Sequence, residues 1–173
     1  MKRLIVTLFL VGGIMFTGRA MADPLTPQIC RDKTIAAAKL IETEGTASAF
    51  DKIKDPAGDF FFGDGNGYVF VVDSYNMIVL HPKKPELVGK NMADFKDVNG
   101  KAFFIDMTDL VTEKGSGWIF YEWPKPGKKE NSPKAAYGVK AASGGKVYIV
   151  CSGVYDVTKE DIKKQFPGDP MGE

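Results

Sequence analysis

His81 is the only histidine in the chain, and it stands just before Pro82 at the end of a run of strand-forming residues. A proline holds the residue before it in extended backbone. There an imidazole can donate a hydrogen bond to a carboxylate, or carry charge in mildly acidic conditions. The alternative is a structural histidine bonded to backbone. An enclosed anion needs a cation or several N–H and O–H donors, because a buried unpaired carboxylate is costly. Lys134 and Tyr137 are groups of that kind, but strict alternation along a strand sets them on opposite faces. Only a bulge or the bend at Pro133 brings both to one pocket. Tyr121 and Trp123 share one face and Trp118 the other. Phe103 and Met107, four apart on a helix, make an apolar wall or ordinary core. Asp94, Asp97, Asn99 and Lys101 flank Gly100 and read as a turn and helix-capping device. No nucleophile–base pair is legible, so an enzyme is not expected. One histidine and scattered carboxylates suggest no metal site and no cofactor.

The elements that must position these groups run from Gly65 to Tyr121. A nearly all-apolar strand, Tyr68 to Asp73, turns at Ser74-Tyr75-Asn76 into a second strand, Met77 to His81. A loop with Pro85, Gly89 and Gly100 leads to a helix from about Lys101 to Lys114. After Gly115-Ser116-Gly117 comes the strand Trp118 to Trp123, then strands Lys134 to Ala141 and Val147 to Val154, then a short helix from Asp156 to Glu160 and a frayed end. Strands apolar on both faces are covered on both sides. Helices before the sheet cover one side, and the segment from Lys83 to Lys114 covers the other. The first helix starts at Pro27 and places Cys30, Thr34, Ala37, Ala38 and Ile41 on one face. Gly45 breaks it, and Thr46 caps a second helix through Lys54. The class is α+β with about five antiparallel strands.

At 173 residues the chain fits one domain. Lys2 and Arg3, an apolar run from Leu4 to Phe16, and Ala20-Met21-Ala22 predict a signal peptide over residues 1–22, leaving residues 23–173 as the domain. The run is too short for a membrane span, and no later run replaces it, so none is expected after cleavage. A periplasmic or secreted protein is expected. Cleavage leaves a slight excess of acids, which gives no electrostatic footprint for nucleic acid. In an oxidising compartment Cys30 and Cys151 are expected to form one disulfide if helix and last strand pack. Two buried thiols are the alternative.

HPKKPELVGKNMADFKDVNGKAF, GSGWIFYEWPKPG, PKAAYGVK and YIVCSGVY occur in that order. Together they resemble the single Cache sensor domain, of the sCache_2 type, from about Ile35 to Tyr155. The resemblance implies a PAS-like sheet of about five strands backed by a long N-terminal helix. It implies an extracytoplasmic ligand-binding module of chemoreceptors and sensor kinases, and a small organic acid such as acetate, propionate or pyruvate. By motif position Lys134, in PKxxY with Tyr137, becomes the cation. His81, Tyr121 and Tyr137 join it at the polar end, Trp123 lies on the same face as Tyr121, and Phe103, Met107 and Trp118 bound the pocket's size. The chain departs from the pattern at Tyr75-Asn76, where a glycine is usual, and at Tyr148, where tryptophan is common. It also shows no downstream membrane helix or signalling module. The expectation is therefore a soluble binding protein for signal transduction and chemotaxis, or the ligand-loaded partner of a membrane receptor or sensor kinase. A structural or interaction module with a closed pocket, possibly a homodimer, is the alternative.

Overall fold

The computed structural model describes residues 25–172. The expected signal peptide lies outside the described residues. Helix α1 spans Pro27–Lys54. The Thr26 hydroxyl accepts from the Ile29 N–H at 3.2 Å, and Pro27 sits in the first turn, where its missing donor costs nothing. The two helices expected there are one helix kinked at Gly45, whose φ of 79° belongs to the left-handed region. The small residues Ala37, Ala38 and Ala49 are buried, so α1 lies close on the sheet.

The strands are β1 (Phe61–Phe62), β2 (Gly67–Asp73), β3 (Ile78–Leu80), β4 (Ser116–Pro124), β5 (Asn131–Ser143) and β6 (Lys146–Tyr155). They form an antiparallel sheet ordered β1-β2-β6-β5-β4, with β3 paired to β2. The sixth strand beyond the expected five is the two-residue β1, built from the Phe60-Phe61-Phe62 run. Helix α2 (Phe103–Lys114) crosses the face opposite α1 and ends on Gly115, whose left-handed φ of 84° lets its N–H reach the Val111 carbonyl. It begins two residues later than expected, because the Asp97–Lys101 turn still holds the chain.

The β2–β3 turn explains one departure from the family pattern. Asn76 takes the positive φ that glycine usually supplies, and its side-chain oxygen accepts from the Thr108 hydroxyl of α2 at 2.7 Å. Asp73 accepts from the N–H groups of Tyr75 and Met77 and closes the turn.

Each face has its own core. Phe70, Val72, Phe103, Met107, Val111, Ile119, Tyr121, Ile149 and Cys151 pack under α2. Ala37, Ile41, Ile53, Val69, Val71 and Val150 pack under α1. A third group joins the start of α1 to Trp118, Tyr137 and Ile162 of α3 (Lys159–Gln165). The expected frayed end is docked. The Trp118 N–H donates to the Pro170 carbonyl and the Gly172 N–H to the Trp118 carbonyl, both at 2.9 Å. Among the described residues no helix is long and apolar enough to cross a membrane.

Candidate functional site

Antiparallel pairing sets Lys134 of β5 beside Tyr121 of β4 and Tyr155 of β6. All three side chains rise on the α2 face, and Tyr68 of β2 joins them. The Lys134 Nζ lies 4.9 Å from the Tyr155 ring centre, 5.5 Å from Tyr68 and 5.8 Å from Tyr121. Electron-rich ring faces attract a cation, and more strongly where water is excluded. The lysine is only 3% exposed. Among the described residues its ammonium has no ion pair and no hydrogen bond. Burial lowers its pKa to about 8, with the neighbouring Cys30 and Cys151 thiols opposing and Lys84 assisting. The stem reaches this position across Gly153, where a Cβ would sit 2.2 Å from the Lys134 Cε. Only a glycine leaves that space.

His81 closes the same side. Its ring stacks on Phe70 at 5.5 Å and tilts against Tyr68 at 5.1 Å. Its Nδ1 accepts from the Lys84 N–H at 3.0 Å, so in the neutral ring the proton belongs on Nε2, a donor. Burial, then the charges of Lys134 and Lys84, push its pKa down to about 3. The Tyr155 hydroxyl donates to the Pro124 carbonyl at 3.1 Å and neighbours the Tyr68 hydroxyl, whose pKa burial raises to about 12. Burial likewise holds Tyr121 well above its ordinary value. These phenols stay protonated and able to donate.

No fully enclosed side-chain nitrogen or oxygen among the described residues lacks a partner. Lys134 Nζ, His81 Nε2 and the Tyr121 hydroxyl take no hydrogen bond there, so each tip borders accessible space. The site sets a buried ammonium among neutral N–H and O–H donors, and among the described residues no carboxylate is paired to that cation. Such a set of donors suits an anion.

The cover is the segment between β3 and α2. Along β3 it is held by backbone, through Ile78 N–H to Lys90 carbonyl and Gly89 N–H to Ile78 carbonyl. At β4 it is held by Asp97, which accepts from the Glu122 N–H at 3.0 Å and from the N–H groups of Asn99 and Lys101. Burial alone would raise this carboxyl, and the three backbone donors outweigh it and lower its pKa. Phe95 meets Trp123 and Phe103 edge-on, and the Lys84 ammonium sits 4.5 Å over Trp123. Phe103 lies flat on Tyr121, 4.0 Å apart and 2° from parallel.

Of the eight residues expected in the pocket, the structure gathers His81, Phe103, Met107, Tyr121, Trp123 and Lys134 on the α2 face. Trp118 and Tyr137 are on the other face, a correction to their expected position. No bulge intervenes, so alternation sends Tyr137 away from Lys134. There Trp118 Nε1 donates to Asp169, Arg31 forks onto the same carboxylate, and its guanidinium lies 5.3 Å from the Tyr137 ring. The expected Cys30–Cys151 bridge is also absent: both are free, buried thiols. Cys151 faces α2, whereas Cys30 belongs to α1 and packs with Trp118 and Tyr137 on the opposite face of the sheet. Tyr68, Phe70, Tyr155, Lys84 and Gly153 were not foreseen. Tyr155 ends the YIVCSGVY motif, and Tyr68 and Phe70 form an i, i+2 aromatic pair, but only sheet register brings them to Lys134.

The family model dCache_2, described as a Cache domain, matches residues 36–166. Over 103 residues the chain is 30% identical to the methyl-accepting chemotaxis protein McpP of Pseudomonas putida, covering 60% of this chain and 18% of that protein. The chain thus spans less than a fifth of that relative's length. A solved periplasmic sensor domain of a chemotaxis protein superposes with a TM-score of 0.60 at 26% identity, over 75% of this chain and 90% of that one. A structure described as the basis for carboxylic acid recognition by a Cache chemosensory domain superposes at 0.59 with 28% identity, over 75% and 88% of the two chains.

Proposed function

Because the chain belongs to the Cache domain family, we propose that it is a ligand-sensing domain that binds a short-chain carboxylate such as acetate, propionate or pyruvate. The observation that carries this reading is Lys134. An ammonium buried among three tyrosine rings without a carboxylate is costly to keep unless something anionic completes it. Its ligand's carboxylate lies against Nζ, with His81 Nε2 and the Tyr121 hydroxyl as donors. Phe103, Met107 and Trp123 surround the apolar part. The kinship with a chemotaxis receptor and with a periplasmic sensor domain supports a periplasmic location and a membrane receptor or sensor kinase as the partner that hears the signal.

The test is titration calorimetry with two- to four-carbon acids, on protein refolded to strip any bound molecule. Binding that Lys134→Met weakens about 30-fold or more is expected, the scale for losing one partner of a buried charge pair. No heat with any of these acids rejects the reading. One observation favours the second reading, an interaction module: the cavity between α2 and the sheet measures only about 10 Å³. The same titration decides between them.

A further inference from the structure

Lys134 is the only buried lysine among the described residues. A lysine attacks carbon only as the neutral amine, and burial is what releases its proton. The rings of Tyr68, Tyr121 and Tyr155 surround this nitrogen. The titratable groups whose charge reaches it are Cys30 of α1, Cys151 of β6, His81 and Lys84, and none of them is a carboxylate. A desolvated lysine beside a second cation is the arrangement that makes an amine nucleophilic toward carbonyl compounds. The stem is fixed as well. It passes over Gly153 so closely that a Cβ there would lie 2.2 Å from Cε and 3.3 Å from Cδ. An amine held in place loses little freedom on reacting. It is approached from beside β4, the last strand of the sheet, where a cleft of about 320 Å³ is lined by Lys134 and Tyr121 with Asp97, Lys101, Pro133 and Lys159. The Tyr155 hydroxyl is spent on the Pro124 carbonyl, which leaves the Tyr121 hydroxyl and His81 Nε2 as donors for an acid group.

We propose that Lys134 is a covalent capture site for small 2-oxo acids, binding the keto carbon as an iminium while the adjoining carboxylate takes the His81 and Tyr121 donors. The inference rests on the carboxylate reading for the placing of the acid end, and adds to it a bond that a plain carboxylate cannot form. The amine lone pair attacks the keto carbon, and the nitrogen lone pair then expels the former keto oxygen. Counted from the ammonium, two of its hydrogens and that oxygen leave as water, and one hydrogen stays on the iminium nitrogen. No electrons are gained or lost, so no oxidant or reductant is needed. The iminium keeps its positive charge among the rings and gains its own carboxylate as the neighbouring anion. Burial supplies the reactive form: at about pH 7.5 an amine with a pKa of about 8 is about one-quarter neutral, against about one in a thousand at the ordinary value.

The native protein is incubated with pyruvate and sodium cyanoborohydride, which reduces an iminium to a stable secondary amine. Mass spectrometry of the digested protein then reads each lysine separately, the adduct being one pyruvic acid less one oxygen. Adduct at Lys134 is expected to exceed that at every other lysine by about tenfold or more, and the excess is expected to vanish when labelling is done in urea. Lys134→Arg keeps the charge but cannot attack, so its labelling is expected to fall to the level of the surface lysines. With acetone, the same carbonyl without an acid, the excess at Lys134 is expected to be about threefold smaller or less; an equal excess overturns the assignment to 2-oxo acids. Adduct shared evenly among the lysines of the folded protein overturns the capture, and it does so even if the variant does not fold. Calorimetry with propionate and lactate, which have no keto group, separates the two readings. Heat from these acids without preferred labelling removes the capture and leaves the carboxylate reading. No heat and no preferred labelling removes both.

Discussion

In the proposed site, Lys134 couples binding to stability and to pH in opposite directions. Its pKa in the folded protein, about 8, is below its ordinary value of 10.5, because burial disfavours the charged form. The sign follows from proton counts. Between about pH 8 and 10.5 the unfolded chain holds the lysine proton and the folded chain does not, so this residue makes the protein more stable as pH rises through that window. Lys134→Met removes the buried charge and places a thioether among the rings. We expect it to raise the melting temperature of the ligand-free protein near neutrality, by the equivalent of about 1–4 kcal/mol, while weakening acid binding about 30-fold or more. A melting curve and a titration on the same sample check both halves; a variant that is less stable and binds as tightly as the unaltered protein contradicts the assignment. In the unaltered protein the ammonium must be charged to hold a carboxylate, so affinity is expected to fall as pH is raised past about 8. His81, with its pKa near 3, stays neutral throughout that range and serves as a donor rather than a charge. Its own contribution to stability is lost on acidification from about 6.5 toward 3, since the unfolded imidazole takes up the proton first.

Two local devices keep the site assembled. Gly153 gives the lysine stem its path across β6. Gly153→Ala puts a methyl into the space of Cε and close to the Ala135 carbonyl oxygen, at 3.2 Å. The expected result is at least tenfold weaker acid binding with the sheet intact, read by titration and circular dichroism. Asp97 ties the covering segment to the edge of the sheet through the Glu122 N–H, a charge-assisted bond. Asp97→Ala is expected to cost about 1–3 kcal/mol and to speed ligand release, since the segment then hangs on Phe95 and the backbone along β3. Urea unfolding and stopped-flow dissociation measure the two effects; unchanged release would mean that the ring contacts alone hold the cover. DVNGK was readable as a turn from its residue types. Its grip on β4 was not, because the acceptor's partner is 25 residues away.

Across the whole molecule, the sheet separates the α2 face, which carries the proposed ligand site, from a supporting face. Arg31 of α1, Asp169 of the tail and Trp118 of β4 lock the supporting face together. A double-mutant cycle on Arg31→Ala and Asp169→Ala is expected to give a coupling of about 1 kcal/mol, because the pair is partly buried and forked. The thiols lie on either side of this partition, so both are expected to resist alkylation in the native protein and to react once it is unfolded.

Local periodicity determined much of this from sequence alone. Side chains alternate along a strand whatever surrounds it, so Tyr121 and Trp123 could be set against Trp118, and Lys134 against Tyr137, before any coordinates. Motif order added the fold and pointed to the lysine as the proposed cation. Tertiary structure decided which groups meet. Tyr68, Tyr155 and Lys134 converge through the pairing of β2 with β6 and β6 with β5, and pairing register depends on contacts between segments distant in the chain. It also decided that Cys30 and Cys151 face apart and that the C-terminal residues bind the edge of β4, because both depend on which face of the sheet α1 and the tail come to occupy.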